Sequence, residues 1–333
     1  MKKDKFWKNK NVLITGIHGF LGSNLCKKLI ENDANVYGIH NNNSNKSLLK
    51  FENITDYNSL SISLNDSNQI KALINDNNLE ICFHLAAQVE VQKAIEFPFD
   101  TLHNNINSTL NLLEAFKNNK SLKSFIFCST DKVYGDIEKK FLPYKEEYIP
   151  KPKYPYEVSK LICEKLVQTY DNNFNLNTLT TRSCNLYGPG QLNLTAIIPS
   201  LIVSALGKNN FKPRSNGMLL RDYMFVEDWC ETLLNISKKI YFKKPKYKVY
   251  NFGTNSPYTV KDITKLIYDK ISKGKTNEIL LLYDKHEAKN EIPYQTLDSK
   301  RAINEFKFDP KNAISPGLTK TIKWFKKYSD KIN

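Results

Sequence analysis

Short β-rich runs alternate with longer amphipathic stretches up to residue 190, and this alternation constrains the fold more than any other feature of the chain. The pattern predicts strands over 11–16, 35–40, 79–87, 123–129 and 176–183, and helices over 20–31, 67–77, 99–118 and 155–172. Alternating strands and helices predict an α/β fold, a Rossmann-type doubly wound parallel sheet with helices on both faces. Ligands of such sheets bind at the carboxyl ends of the strands.

The alternation loosens after Gly188-Pro189-Gly190, where proline and charge become more frequent and the apolar spacing becomes irregular. Residues 225–240 and 248–253 nevertheless predict one more helix and one more strand. We therefore predict a nucleotide-binding Rossmann domain over 1–190, to which residues 225–255 return, and a smaller C-terminal substrate-binding lobe over 191–224 and 256–333.

The chain is basic, with a formal net charge of +15 at pH 7. Clustered Lys and Arg would indicate a nucleic-acid or membrane partner, because such clusters neutralise phosphates. The lysines are instead scattered, and their densest groups, at 238–248 and 323–328, are typical of solvated helix faces. We therefore expect no nucleic-acid partner.

The six cysteines form no CxxC pair and no Cys/His cluster; they stand at positions 26, 82, 128, 163, 184 and 230. This spacing argues against a metal site and against a disulfide framework, and a reducing cytoplasm is the expected compartment. No apolar run approaches the ~20 residues that a membrane-spanning helix needs. We expect no membrane partner.

The segment TGIHGFLGSNL (15–25) places Gly16, Gly19 and Gly22 between the first predicted strand and the first predicted helix. Glycines are needed where the backbone turns sharply and where a pyrophosphate approaches the amides of a helix N-terminus. The segment lacks the Gly-Lys-Ser/Thr of a phosphate-binding P-loop, which disfavours an NTPase. It predicts a dinucleotide site.

The end of the second predicted strand carries His40, and residues 41–46 (NNNSNK) follow it. An acidic residue at this place would bond the adenosine ribose 2′-hydroxyl, and none is present. His40 or an Asn could bond a ribose hydroxyl, whereas Ser44 with Lys46 could meet a 2′-phosphate. NAD and NADP both stay open, and the lack of a nearby arginine favours NAD.

Seven motifs occur in the order and spacing of the extended short-chain dehydrogenase/reductases, the group of nucleotide-sugar epimerases and dehydratases. They are TGIHGFLG (15–22), HLAAQ (84–88), NNINSTLNLLEA (104–115), STDKVYG (129–135), PYEVSK (155–160), RSCNLYGPG (182–190) and RDYMFVED (221–228). The resemblance implies a Rossmann domain, a C-terminal lobe for a nucleoside-diphosphate hexose, a tightly held nicotinamide cofactor and a homodimer built on two helices per subunit. The implied cofactor-binding residues are Gly16, His18, Gly19, Phe20, Leu21, Gly22, His40, Leu85, Ala86, Ala87, Tyr156 and Lys160.

Tyr156 and Lys160 are four residues apart, so they share one face of a helix. A tyrosine hydroxyl has a reference pKa near ~10, and a neighbouring ammonium lowers it by favouring the phenolate. The pair then forms a base that can take an alcohol proton while hydride leaves the same carbon for the nicotinamide.

The resemblance assigns further roles at the substrate. Thr130 matches the hydroxyl that bonds the substrate alcohol, and Asn185 matches a residue that contacts the sugar diphosphate; Gln88 is also placed at the substrate. Arg221 matches the arginine that binds the phosphates, for which a fork of donors is suited. The alternative for Arg221 is a salt bridge to a neighbouring aspartate.

Thr130-Asp131-Lys132 carries the finer prediction. After oxidation at the sugar C4, a 4,6-dehydratase needs a base for the C5 proton and an acid for the departing C6 hydroxyl. Asp131 can act as the acid if burial keeps it protonated. Lys132 can act as the base if its pKa is lowered. Otherwise Lys132 forms an ion pair with Asp131.

The triplet resembles that of CDP-glucose and inverting UDP-N-acetylglucosamine 4,6-dehydratases. The motif RDYMFVED (221–228) instead resembles the UDP-, dTDP- and GDP-sugar branches of the family. The nucleotide of the substrate therefore stays open. The prediction is an NAD(P)-dependent nucleotide-sugar 4,6-dehydratase. The alternatives are a C4 epimerase or related oxidoreductase, and a non-catalytic relative that senses NAD or binds nucleic acid.

Overall fold

A computed structural model describes residues 3–41, 46–285, 292–311 and 313–332. The strands in this part of the chain are β1 (Asn11–Thr15), β2 (Asn35–His40), β3 (Asn58–Ser61), β4 (Ile81–His84), β5 (Ser124–Thr130), β6 (Thr178–Ser183), β7 (Asn185–Tyr187), β8 (Leu220–Arg221), β9 (Tyr223–Phe225), β10 (Val249–Phe252), β11 (Tyr258–Thr259) and β12 (Tyr294–Gln295). The α-helices are α1 (Phe20–Glu31), α2 (Leu48–Phe51), α3 (Ser67–Asp76), α4 (Val91–Glu96), α5 (Pro98–Phe116), α6 (Pro155–Phe174), α7 (Ile197–Ala205), α8 (Val226–Phe242), α9 (Val260–Ile271), α10 (Thr276–Leu281), α11 (Lys300–Phe306) and α12 (Ile314–Ile332). Short 3-10 helices cover Lys5–Trp7, Asp131–Tyr134, Lys139–Phe141, Lys273–Lys275 and Leu282–Lys285.

The main sheet has seven strands in the order β10-β6-β5-β4-β1-β2-β3, and every neighbouring pair is parallel. Two small sheets, β11-β8-β12 and β7-β9, lie outside it. The strand order reverses between β1 and β4, which is where doubly wound sheets open a crevice for ligands. The predicted α/β, Rossmann-type doubly wound fold is confirmed.

The C-terminal part of the chain joins the sheet through β10, which pairs with β6. One large apolar cluster also runs from Trp7 and β1 through α8 to Phe325 in α12. Strand β10 lies within residues 225–255. The division into a domain over 1–190 and a lobe over 191–224 and 256–333 stays a prediction.

Helix α6 starts where its sequence favours a start. Pro155 occupies the first turn, where its missing N–H is not needed. The Glu157 carboxylate accepts hydrogen bonds from the amides of Lys153 and Tyr154 at 3.0 and 3.2 Å. This fixed start sets the rotation of the helix and turns the side chains of Tyr156 and Lys160 inward, so that both are buried.

The predicted strand over 79–87 is too long, because β4 ends at His84. The hydroxyl of Thr15 accepts hydrogen bonds from the amides of Leu85 and Ala86, both at 3.1 Å. Those amides are therefore directed toward a side chain of β1 and away from a neighbouring strand. The first strand also stops one residue early, at Thr15, because Gly16 takes a positive φ of 72°.

Strand β3 is absent from the sequence prediction. Its residues, Asn58–Ser61, are mostly polar and exposed, and they pair with β2 at the edge of the sheet. Backbone hydrogen bonds hold an edge strand of this kind, and its side chains give no alternating apolar pattern.

Candidate active site

The glycine turn between β1 and α1 is tight and closely packed. A Cβ on Gly22 would lie 2.2 Å from the Gly16 carbonyl oxygen, and a Cβ on Gly16 would lie 3.1 Å from the Cα of Ala86. The Gly19 amide donates to the Gly16 carbonyl at 2.9 Å, and Gly19 then caps α1. Since glycine has no side chain to cap the helix, the first amides of α1 are left to an anion such as a pyrophosphate. Phe20 and Leu21, half-buried, begin the helix.

His18 and His40 meet at the end of β2. Their rings stack with centroids 4.3 Å apart, and His18 Nε2 lies 3.2 Å from the Tyr57 hydroxyl. Burial, then the charges of His40 and Lys50, lower the pKa of His18 to about 4, so this ring is neutral at pH 7. Ser44, the candidate 2′-phosphate contact, lies outside the described residues, whereas Lys46 is exposed.

His84 is part of a buried hydrogen-bond chain behind the turn. The Thr15 hydroxyl accepts two amides and therefore donates to His84 Nδ1 at 2.8 Å. His84 Nε2–H then donates to the Thr109 hydroxyl at 2.9 Å, which in turn donates to the Asn105 carbonyl. Burial and the charge of Lys160 lower the pKa of His84 to about 3. A neutral His84 thus links β1, β4 and α5, which is a packing role.

Asn105 holds the loop that follows β4. Its side-chain oxygen accepts the Gln88 amide at 2.8 Å, and its Nδ2 donates to the Gln88 carbonyl and to the Ser159 hydroxyl. Residues Leu85, Ala86 and Ala87 are thereby fixed against α6, in a half-buried position. The side chain of Gln88, predicted at the substrate, bonds the backbone of Glu90 through both of its polar atoms.

Thr130 is the last residue of β5, and the 3-10 helix Asp131–Tyr134 follows it directly. Its hydroxyl accepts a hydrogen bond from the Lys132 amide at 3.3 Å and donates to Asp131 Oδ1 at 3.2 Å. Asp131 is buried, with 3% of its surface exposed. Loss of solvation raises the pKa of Asp131 to about 6, although the charges of Lys132 and Arg221 act in the opposite direction.

Tyr156 is buried beside this group. Burial raises its pKa above the ordinary value, the negative charge of Asp131 raises it further, and a hydrogen bond with Thr130 lowers it. The sequence argument expected Lys160 to lower the pKa of Tyr156. In the structure, burial raises the pKa of Tyr156 instead.

Lys160 is also buried, and its ammonium lies 4.3 Å from the centroid of the Phe127 ring on β5. Burial lowers the pKa of Lys160, while the neighbouring thiols of Cys163 and Cys128 and the carboxylate of Glu164 act against that change. Lysine with a lowered pKa exchanges protons more readily near neutral pH.

Arg221, at the end of β8, is half-buried, and its positive charge acts to lower the pKa of Asp131. Its guanidinium donates to the carbonyls of Leu220 at 3.0 Å and Pro293 at 3.3 Å. Asn185 starts β7, and its Nδ2 lies 3.5 Å from the Asp222 carbonyl. Arg221 is therefore close enough to Asp131 for its positive charge to lower the pKa of that carboxyl group.

A buried network that the sequence analysis did not find lies behind the 3-10 helix of Asp131. Arg182 on β6 donates to Glu164 on α6 through Nε at 3.0 Å and through a terminal nitrogen at 2.6 Å. The guanidinium carbon of Arg182 lies 4.6 Å from the centroid of the Tyr134 ring. Tyr134 in turn donates to Asn251 on β10 at 2.7 Å. A charged residue inside an otherwise uncharged strand was the available signal.

The residues present fit a dinucleotide. The open amides of α1 suit a pyrophosphate, and small Ala86 and Ala87 let the backbone pass close to a ring. Among the described residues, His18 Nδ1 is buried and has no hydrogen-bond partner. Over the described ranges, no cluster of His, Cys, Asp or Glu could hold a metal ion. Over the same ranges, no helix is both long and apolar enough to cross a membrane.

Comparison with known proteins gives consistent results. A family model described as "NAD dependent epimerase/dehydratase family" matches residues 12–253. The chain is 30% identical over 328 residues to dTDP-D-glucose 4,6-dehydratase of Homo sapiens, covering 95% of this chain and 90% of the relative. It is 28% identical over 335 residues to dTDP-glucose 4,6-dehydratase of Haemophilus influenzae, covering 95% and 97%. The crystal structure of UDP-glucose 4-epimerase from Thermotoga maritima superposes with a TM-score of 0.82 at 29% identity, covering 96% and 99%.

Proposed function

Since this chain belongs to the NAD dependent epimerase/dehydratase family, we propose that it is a nucleotide-sugar 4,6-dehydratase. The proposed reaction oxidises C4 of the hexose, removes water across C5 and C6, and reduces C6 to give a 4-keto-6-deoxy sugar nucleotide. Membership of the family confirms the resemblance to nucleotide-sugar epimerases and dehydratases, and the family's NAD dependence agrees with the predicted cofactor.

One observation carries the proposal. Asp131 is a buried carboxyl group whose pKa of about 6 lets it hold a proton near neutral pH, and it lies directly beside the oxidation residue Thr130. An epimerase needs no such acid, because its hydroxyl groups all stay on the sugar. A dehydratase needs one, because hydroxide is a poor leaving group unless it is protonated.

Each of the proposed catalytic residues has its own role in the reaction. The phenolate form of Tyr156 takes the proton of the C4 hydroxyl, with Thr130 holding that oxygen in place. When bound, the nicotinamide supplies a reversible hydride acceptor, which both the oxidation at C4 and the reduction at C6 require. Asp131 then gives its proton to the C6 hydroxyl, so that the departing group leaves as water. A proton returns to C5 at the end, and the atoms balance as loss of one water.

Lys132 is the proposed base for the C5 proton, which the C4 ketone makes acidic. The side chain is half-buried and its charge lowers the pKa of Asp131, so the two groups act on each other. The same proximity fits a pairing role in which Lys132 stabilises the Asp131 carboxylate after proton transfer. Solvent exchange at C5 separates the two roles.

The proposed substrate is a nucleoside-diphosphate hexose. Arg221 and Asn185 are the proposed phosphate and sugar-diphosphate contacts, and Arg221 contributes to the field at Asp131. Relatives over the whole chain are named for dTDP-glucose, and an Arabidopsis thaliana relative at 28% identity is named for UDP-glucose. These names support dTDP- and UDP-glucose as the first substrates to test, with CDP- and GDP-hexoses beside them.

A C4 epimerase is the second candidate, because the 4-epimerase from Thermotoga maritima is 29% identical to this chain. Tyr156, Lys160 and Thr130 serve both reactions, so they do not separate the candidates. Asp131 and Lys132 would be incidental in an epimerase.

Incubation of the holoenzyme with a panel of nucleoside-diphosphate hexoses, followed by mass spectrometry, tests the proposal. Loss of one water from a panel member is the expected result. An unchanged mass with an altered sugar configuration would instead establish the epimerase. If neither change occurs with any panel member, the non-catalytic alternative stands.

We propose a homodimer in a cytoplasmic compartment. Large apolar side chains are exposed on α4, on α5, in the loop before α4 and on α6, which packs against α5. They are Val89, Ile95, Phe97, Phe99 and Ile162. Exposed apolar side chains on neighbouring elements, here called the apolar face, are typical of a protein–protein interface. The six cysteines are free in the structure, which supports a reducing compartment.

A further inference from the structure

The 3-10 helix Asp131–Tyr134, here called the acid helix, is held at its carboxyl end by Gly135. The Gly135 amide donates to the Lys132 carbonyl at 3.1 Å, and Gly135 has a positive φ of 69°. A Cβ on this glycine would lie 2.1 Å from the Lys151 carbonyl oxygen, so two backbone segments pack directly against each other here. On the other side, the Lys132 amide donates to the Thr130 hydroxyl. The backbone of Lys132 is therefore held from both sides, and Gly135 provides one of the two contacts.

Tyr144, in the segment between the acid helix and α6, contacts this glycine directly. Its hydroxyl donates to the Gly135 carbonyl at 2.5 Å, and its ring stacks on the Tyr134 ring with centroids 4.8 Å apart. The side chain is 0% exposed, so water cannot replace this donor if it is lost. Tyr134 also donates to Asn251 on β10 at 2.7 Å, and Asn251 Nδ2 donates to the Tyr144 carbonyl at 3.0 Å. The two tyrosines and Asn251 therefore form one buried, hydrogen-bonded unit behind the acid helix.

The backbone of Tyr144 is bonded to the C-terminal part of the chain. Its amide donates to the Thr296 carbonyl, and its carbonyl accepts the Asp298 amide, both at 2.8 Å. These two residues lie just after β12, in which Gln295 pairs with Arg221 of β8. Tyr144 therefore links the strand pair that carries the proposed phosphate contact to the acid helix.

We propose, on the basis of the dehydration proposed above, that Tyr144 is a positioning residue for elimination: its hydroxyl fixes Gly135 and so holds Asp131 within reach of the C6 hydroxyl. Transfer of a proton to that hydroxyl requires the acid at hydrogen-bond distance from it. Oxidation at C4 instead uses Tyr156, whose position is set by the start of α6. A loosened acid helix should therefore slow elimination more than oxidation.

The substitution Tyr144→Phe keeps the stacked ring and removes only the donor to Gly135, so it isolates the proposed contact. The substrate is the panel member that loses water with the unsubstituted holoenzyme. Elimination should slow by about tenfold or more, since a small misplacement of a catalytic group slows a reaction by up to about 10²-fold. The rate of C4 oxidation and the KM should stay within about threefold of the unsubstituted values. Stopped-flow absorbance of the reduced nicotinamide, compared with product formation, separates the two steps.

Amide hydrogen exchange of the peptide covering 129–136 measures how firmly the acid helix is held. In Tyr144→Phe its amides should exchange about tenfold faster or more, because the acid helix opens locally more often. Tyr283→Phe is the matched control, since Tyr283 is 1% exposed, its hydroxyl lies 2.7 Å from the Thr264 hydroxyl, and it belongs to a separate apolar cluster. The control also loses one buried hydrogen bond, yet it should change neither the exchange of 129–136 nor the ratio of elimination to oxidation.

Three results would overturn the proposal. Unchanged exchange in Tyr144→Phe would show that the hydroxyl does not hold the acid helix. Faster exchange with normal elimination would show that elimination tolerates a loose acid helix. Equal slowing of oxidation and elimination would give Tyr144 a general structural role. If the unsubstituted protein removes water from no panel member, the proposed function itself fails, whereas the exchange experiment still decides whether Tyr144 holds the acid helix.

Discussion

The Thr130 hydroxyl donates to Asp131 Oδ1 across 3.2 Å, and the same hydroxyl hydrogen-bonds with Tyr156. Thr130 has a single hydroxyl proton, so it cannot serve both anions at once. The negative charge of Asp131 also raises the pKa of Tyr156. A protonated Asp131 therefore favours the phenolate of Tyr156. The acid for elimination and the base for oxidation reach their working protonation states together.

The substitution Asp131→Asn should separate water loss from oxidation. Asparagine matches the size of the carboxyl group and donates hydrogen bonds, but it has no proton to give to the C6 oxygen. We expect elimination to slow by a factor of roughly 10² to 10⁴, the usual contribution of a general acid, while oxidation at C4 slows much less. Stopped-flow absorbance of the reduced nicotinamide, compared with product formation, measures the two steps. Equal slowing of both would remove Asp131 from the acid role.

The pH dependence of stability gives a second test of the same group. The pKa of Asp131 is raised to about 6 in the folded protein, whereas an unfolded Asp titrates near ~3.9. The folded state therefore holds the proton more tightly. The stabilisation from protonated Asp131 is complete below about pH 4 and is lost as the pH rises through about 6.

Asn mimics the protonated form at every pH. Relative to the unsubstituted protein, Asp131→Asn should therefore gain up to about 3 kcal/mol of unfolding free energy between pH 4 and pH 7. Urea unfolding at a series of pH values measures the difference. Asp136→Asn, at an exposed position, controls for the removal of one negative charge. A difference that stays constant with pH would show that Asp131 is ionised throughout.

Helix α1 and strand β2 were predicted with the bounds that the structure shows, Phe20–Glu31 and Asn35–His40. Both elements have strong local signals, since Gly19 precedes the helix and the buried Leu25, Cys26 and Leu29 repeat at helical spacing. Strand β4 was extended too far because the amides after it bond the Thr15 side chain. That partner lies on another strand, and no local pattern reveals it.

In the candidate site, too, some features could be predicted from the sequence and others could not. Motif order predicted that Thr130, Asp131, Tyr156 and Lys160 belong together, and the geometry places them at the carboxyl end of β5 and the start of α6. The sequence predicted a lowered pKa for Tyr156 and this was wrong, because the direction depends on burial by the complete fold.

Lys132 can be assigned by comparing two substitutions. Lys132→Ala removes both a base and a positive charge, whereas Lys132→Arg keeps the charge and cannot act as a base, since arginine is not deprotonated in proteins. If Lys132 is the base, both variants should lose exchange of the C5 hydrogen with solvent deuterium, measured by NMR of recovered sugar nucleotide. Normal exchange in the Arg variant would identify Lys132 as an electrostatic partner of Asp131.

Breaking the buried ion pair between Arg182 and Glu164 should strongly destabilise the protein. Their side chains are 5% and 0% exposed, so either group alone would be a buried charge without its partner. We expect Glu164→Ala to lower the free energy of unfolding by roughly 3–5 kcal/mol. The more exposed ion pair between Lys238 and Asp4 is the control. Asp4→Ala should lower the free energy of unfolding by about 0–1 kcal/mol. Similar losses in the two variants would show that the buried pair is solvated.

The apolar face formed by α4, α5, α6 and the loop before α4 predicts the oligomeric state. Phe99, at the start of α5, is 73% exposed, and a second copy of the face would remove that apolar ring from water. Phe99→Glu would place a carboxylate inside such an interface, so we expect the variant to sediment as a monomer at concentrations where the unsubstituted chain sediments as a dimer. Leu281→Glu is the matched control, because Leu281 is 64% exposed on α10, a helix that packs against α9 in the C-terminal part of the chain. A dimer that persists in Phe99→Glu, or one that Leu281→Glu dissociates, would place the interface elsewhere.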